Sequence, residues 1–118
     1  MKIVYIIIGL VVGLAVLKIF TGGSLMADKD DVKQKIKNGA LVVDVRSTGE
    51  FSGGHYDGAL NIPVDEVEKR LAEFGSNKER DIILYCRSGG RAGTAKQILE
   101  SAGYKKVINA GGLTNMPQ

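Results

Sequence analysis

Cys86 is the only cysteine in this 118-residue chain, and its neighbours are not those of a residue that merely packs. The stretch "LYCRSGGRAG" (84–93) closes an apolar run and sets Gly89, Gly90, Arg87 and Arg91 around the thiol. A strand, a tight turn and a helix beginning near Arg91 would aim several backbone N–H groups into one concavity, which favours anions. Glycine adopts backbone angles barred to other residues, so such a turn can curl around its own first side chain. Amides, the amino end of a helix dipole and two guanidinium groups all favour a thiolate over a thiol. The chemistry to expect is nucleophilic, from a sulfur that is charged near neutral pH and exposed to its substrate. A packing cysteine has no use for the glycine pair or the arginines. A Walker-type phosphate cradle is excluded, because no Lys-Ser/Thr pair follows the glycines.

The elements that must position this turn follow from hydrophobic patterning. "DKDDVKQKIKNG" (28–39) has acids first, Val32 and Ile36 four apart, lysines late and Asn-Gly to stop it, which is a short helix. "ALVVDV" (40–45) and "DIILY" (81–85) are continuous apolar runs of strand length, suited to strands covered on both faces. "GALNIP" is a shorter extended piece. "VDEVEKRLAEFG" spaces Val64, Val67, Leu71 and Phe74 as an amphipathic helix closed near Gly75. "RAGTAKQILESAG" puts Ala92, Ala95, Leu99 and Ala102 on one helix face, with Gly103 as its cap. "KKVIN" is a last strand, and "AGGLTNMPQ" reads as loop in which Gly111-Gly112 turns the chain. The expected fold is α/β, a mostly parallel sheet with helices on both faces. Ligands in such folds gather at the carboxyl ends of the strands. Cys86 sits at one such end, and Asp44 and Arg46 sit at another.

The amino-terminal residues 1–20 stand apart. Ile3 to Leu17 carry no charge, and Lys18 alone interrupts before Ile19 and Phe20. At about 1.5 Å per residue, the run is near the lower limit for crossing a bilayer core of about 30 Å. A cleaved signal peptide would want a small-x-small site, which "TGGSLMADKD" matches poorly. The reading taken is a transmembrane anchor or uncleaved signal segment over 1–20, meeting the membrane through 3–20, a linker over 21–27 and one domain over 28–118. The net charge is +3 from 16 basic and 13 acidic residues. Setting aside Lys2 and Lys18 leaves 14 against 13, or +1, which offers no nucleic-acid surface. A single cysteine excludes an internal disulfide and a multi-cysteine zinc site, so neither metal nor cofactor is expected.

The strand–"CRSGGR"–helix segment resembles the active-site loop of the rhodanese (thiosulfate sulfurtransferase) family. "LVVDVRSTGEF" (41–51) and "GGHYDGALNIP" (53–63) are similar to that family's two upstream signatures, in the same order. The resemblance spans roughly Asp28 to Leu113. It implies a single rhodanese-like domain in which Cys86 takes the outer sulfur of thiosulfate, or of another sulfane-sulfur donor, as a persulfide. Cyanide, a small thiol or a thiol-protein would then accept it. It also implies that the amides of Arg87, Ser88, Gly89, Gly90 and Arg91 surround the transferred sulfur, with Arg91 or Arg87 meeting the anionic sulfonate. Asp44 and Arg46 would support the pocket. On physical grounds Arg46 and Glu50 suit a structural ion pair, and His55, the lone histidine, is not needed as a base. Related phosphatases and arsenate reductases have one more residue in the loop; here four residues separate Cys86 from Arg91. Family members often carry Trp after the terminal Gly-Gly, whereas this chain has "LTNMPQ" and no Trp. Small domains of this type behind one hydrophobic segment are often exported, so the resemblance places the domain on the periplasmic side of a bacterial inner membrane. A persulfide carrier or sensor that docks a partner is the alternative function.

Overall fold

The computed structural model describes residues 27–118. The apolar run at 3–20 and all but the last residue of the linker read at 21–27 lie outside the described residues. No helix among the described residues is long and apolar enough to cross a membrane.

Helix α1 (Lys29–Lys37) starts on Asp28, whose side chain accepts the Asp30 N–H at 3.0 Å, and ends at Asn38 with Gly39 at φ +93°. Strand β1 is Leu41–Asp44, helix α2 Thr48–Ser52, strand β2 Leu60–Asn61, strand β3 Asp81–Cys86, helix α3 Gly90–Ser101 and strand β4 Lys106–Gly112. The four strands are all parallel, in the order β2-β1-β3-β4.

Strand alternation divides β3 between two cores. Ile82, Leu84 and Cys86 face α3, packing with Ala92, Ala95 and Leu99. Ile83 and Tyr85 face α1, packing with Val32 and Ile36. Both sheet faces are therefore covered, which is why the central strands read as unbroken apolar runs. Because every strand runs the same way, Asp44, Asn61, Cys86 and Gly112 end at one edge of the sheet.

Three expectations are corrected. The segment from Val64 to Phe74 is not one helix but two 3-10 turns, Val64–Glu66 and Leu71–Phe74. The apolar pairs 64/67 and 71/74 each have three-residue spacing, which the tighter helix eclipses onto one side. Val67 and Phe74 are buried as expected. Second, α2 was not anticipated, although "STGE" is a capping box: Ser47 Oγ accepts the Glu50 N–H at 3.2 Å, and Glu50 reaches back to the Ser47 N–H at 3.3 Å. Third, "AGGLTNMPQ" is not a trailing loop. Its first three residues finish β4, Leu113–Asn115 forms a 3-10 turn, and Met116 is buried in the α1-side core.

Candidate active site

The turn between β3 and α3 leaves the sheet at Cys86 and enters the helix through Gly89, whose φ of +99° only glycine adopts without strain. This left-handed step folds the chain back over the sulfur, so the Gly89 N–H donates to Cys86 Sγ at 2.9 Å. Burial opposes ionisation of the Cys86 thiol. The N–H groups of Ala92, Ser88, Gly89 and Arg91 outweigh that burial and hold the thiol below its ordinary range. Of these, the Gly89 N–H is the one hydrogen-bonded to the sulfur; the other three belong to the surrounding loop and the first turn of α3.

Cys86 is 1% exposed. The expectation of an exposed sulfur is corrected on this point: the Cys86 side chain lies on the α3 face of the sheet, in the core with Ala92, and the Gly89 N–H closes over it. Arg87 and Ser88 are exposed on the rim of the loop, and Gly89 is buried beneath it.

The loop is held from outside by β4. Asn109 donates from Nδ2 to the Gly89 carbonyl at 2.9 Å, and its own Oδ1 accepts the Gly111 N–H at 2.9 Å. Pinning the Gly89 carbonyl outward leaves the neighbouring amides turned toward the sulfur. At the sheet edge the pairing slips between Leu84 and Cys86, so that Cys86 lies beside Gly112. There the backbones approach so closely that a Cβ on Gly112 would lie 2.2 Å from the Arg87 carbonyl oxygen. Sequence reasoning missed Asn109 and assigned Gly112 a turn. The signal was the "NAGG" run ending a strand, where a bulge and a close backbone approach call for small residues.

The arginines are paired differently from expectation. Arg46 does not meet Glu50; it binds buried Asp44, with Nε 3.0 Å from Oδ1 and Nη2 2.7 Å from Oδ2, and it also donates to the Gly54 carbonyl at 2.7 Å. The two residues lie on the same short turn, which brings them together before any distant partner. Asn61 donates to both of their carbonyls at 3.0 Å, so the group locks the loop after β1. Tyr85 lies under the Arg46 guanidinium, 5.7 Å from ring centroid to Cζ. Burial pushes its phenol up to about 12, against the Tyr56 N–H it accepts at 2.9 Å.

Glu50 instead binds Arg91, with Nη1–Oε1 at 2.7 Å and Nη2–Oε2 at 3.1 Å. That bidentate bond, helped by Ser47, holds the Glu50 carboxyl down at about 2 despite some desolvation. The pair ties α2 to the first turn of α3. His55 stands apart: it is exposed, its Nδ1 is 2.9 Å from the Phe51 carbonyl, and its ring stacks on Phe51 at 3.7 Å. Among the described residues no group of His, Cys, Asp or Glu is arranged to hold a metal.

A rhodanese-like domain model matches residues 28–116. The chain belongs to the rhodanese-like domain family. It is 40% identical over 74 residues to the thiosulfate sulfurtransferase PspE of Escherichia coli, covering 63% of this chain and 71% of that protein. The YrkF protein of Bacillus subtilis, which bears the name of a sulfur carrier, is 39% identical; 65% of this chain matches 42% of it. Among solved structures, a rhodanese with anions from E. coli superposes with a TM-score of 0.62 at 40% identity, covering 66% of this chain and 94% of that one. A human single-domain sulfurtransferase gives 0.63 at 29% identity, covering 75% and 91%. Sulfur transfer is what the names of these homologues share, and one of them is named a sulfur carrier rather than an enzyme.

Proposed function

We propose that this protein moves sulfane sulfur through a persulfide on Cys86. The supporting observation is the Gly89 N–H donated to Sγ at 2.9 Å, within a loop whose backbone amides favour the thiolate. With thiosulfate, the Cys86 thiolate attacks the outer sulfur, its bond to the sulfonate breaks, and sulfite leaves with the electron pair. Cyanide or a thiolate then attacks the outer sulfur of the persulfide, returning the Cys86 thiolate. The same amides serve both states, since each places negative charge at the centre of the loop. Arg87, exposed and in no ion pair among the described residues, is the cation on the rim for an anionic donor. Ser88 offers a hydroxyl beside it.

The experiment is steady-state thiocyanate formation from thiosulfate and cyanide. Wild type turns over and Cys86→Ser does not; equal rates in the two proteins would end the proposal. A persulfide carrier is the second reading, favoured by the covered sulfur, which suits a partner that docks on the loop. A carrier loads sulfur but passes it to a protein thiol much faster than to cyanide. A phosphatase reading would need a wider loop than the four residues between Cys86 and Arg91.

We also propose that residues 3–20 hold the domain at a bacterial inner membrane, facing the periplasm. The support is the uncharged run from Ile3 to Leu17. Labelling of Cys86 by a membrane-impermeant thiol reagent in spheroplasts, but only after lysis if the domain is cytoplasmic, decides the side.

A further inference from the structure

Arg91 closes the cysteine loop, and its backbone N–H is among those that favour the Cys86 thiolate. Its guanidinium is the group best placed by sequence to attract a small anion, yet both of its terminal nitrogens are taken by Glu50. The side chains of this pair are about one-third exposed, 37% for Arg91 and 32% for Glu50, so the pair meets solvent at the lip of the loop. Beside it lies a depression of about 360 Å³ whose lining includes Val45, Pro63, Asp65, Glu66 and Arg91. Arg91 is the single cation of that lining, and Glu50 neutralises it. Asp65 and Glu66 add carboxylates, with Glu66 itself shared with Arg70 at 3.3 Å. A small dianion over this depression meets no unpaired cation in its lining and the carboxylates of Asp65 and Glu66, which leaves Arg87 on the loop rim as the one free cation near the sulfur among the described residues.

Resting on the sulfur-transfer reading, we propose that Glu50 is a specificity-determining residue: by occupying Arg91 it disfavours dianionic donors such as thiosulfate and favours alkyl persulfides, R–S–SH, which carry at most one charge. The step balances without an outside oxidant. The Cys86 thiolate attacks the outer sulfur of R–S–SH, the donor S–S bond breaks, R–S⁻ leaves with the electron pair, and Cys86–S–SH forms. Nothing in the amide ring requires a sulfonate on the donor. Coulomb energy scales with the donor's charge, so the field that Glu50 contributes acts on the thiosulfate dianion and not on the neutral R–S–SH that the thiolate attacks.

The variant to test is Glu50→Gln in the full chain, because glutamine at this position also completes a capping box with Ser47 and keeps α2 intact. Cys86 persulfide formation is followed by intact mass against thiosulfate and against the persulfide of 2-mercaptoethanol. On the proposal, wild type loads faster from the persulfide. Glu50→Gln raises the thiosulfate rate constant by about tenfold at low salt and leaves the persulfide rate constant within about twofold, and added salt shrinks the thiosulfate gain. If Glu50 is purely structural, the substitution lowers both rate constants together, or leaves their ratio unchanged, and the proposal is wrong while sulfur transfer stands. If wild type and variant load from neither donor, the sulfur-transfer reading itself fails and takes this one with it.

Discussion

Replacing Gly112 with alanine isolates what the closeness of two backbones does for the thiol. Gly112 has φ −99° and ψ 168°, an extended conformation open to any residue, so alanine brings no torsional strain there. The new Cβ would nevertheless lie 2.2 Å from the Arg87 carbonyl oxygen and 3.0 Å from its carbon. Ordinary contact begins near 3.4 Å, so the peptide after Cys86 must retreat by roughly 1.2 Å, or β4 must. Neither atom is the end of a flexible side chain, and overpacking of this kind costs about 1–3 kcal/mol of stability. The functional consequence is larger. A retreat of about 1 Å breaks hydrogen bonds of the amide ring, and each such bond to a charged group is worth about 1.5–3 kcal/mol. The thiolate population at neutral pH should fall by about tenfold or more, and turnover by up to about a hundredfold. Alkylation of Cys86 by iodoacetamide across pH reads the first quantity, thiocyanate formation reads the second, and thermal unfolding confirms that the variant folds. A Gly112→Ala protein that alkylates with the wild-type pH profile and turns over normally would refute the claim that this contact sets the sulfur's charge.

Other outcomes follow from the same geometry. Asn109→Leu leaves the Gly89 carbonyl held by the Gly93 N–H alone and should slow alkylation of Cys86 at neutral pH several-fold while leaving β4 formed; an unchanged rate would remove Asn109 from the loop's support. Arg46→Met leaves the Asp44 carboxylate buried without its partner and should cost about 3–5 kcal/mol in denaturant unfolding, far more than the loss from the exposed pair of Lys105 and Glu79. Glu50 has a carboxyl lowered in the fold from 4.5 to about 2. Its contribution is therefore fully present above about pH 5 and is lost as pH falls toward 2. The stability difference between wild type and Glu50→Gln should be flat from pH 5 to 7 and shrink below pH 4.5; a difference that grows on acidification would reverse the assignment.

What could be read from residue order alone follows from which forces are local. The runs 41–45 and 81–85 identified buried strands because a parallel sheet covered on both faces leaves no polar alternation to confuse them. Asp28, Asn38-Gly39 and Gly103 marked helix ends because caps act within a few residues. The glycines after Cys86 signalled a loop around the sulfur for the same reason. The choice of partner for each arginine was not legible. Glu50 and Arg91 are 41 positions apart and meet only because α2 and α3 converge at one sheet edge. The support from Asn109 and Gly112 depends on a slip in the β3–β4 pairing; the "NAGG" run signals close backbone approach but not which strand it approaches. The break between Val67 and Leu71 was hidden because one amphipathic helix and two 3-10 turns turn the same four apolar side chains inward, Val67 and Phe74 fully and Val64 and Leu71 in part.

The account stands or falls on Cys86 receiving a sulfur atom. Intact mass of the full chain after incubation with a sulfane-sulfur donor should show a gain of one sulfur on wild type, reversed by cyanide, and none on Cys86→Ser. An unchanged wild-type mass, or the same gain on the serine variant, would contradict it.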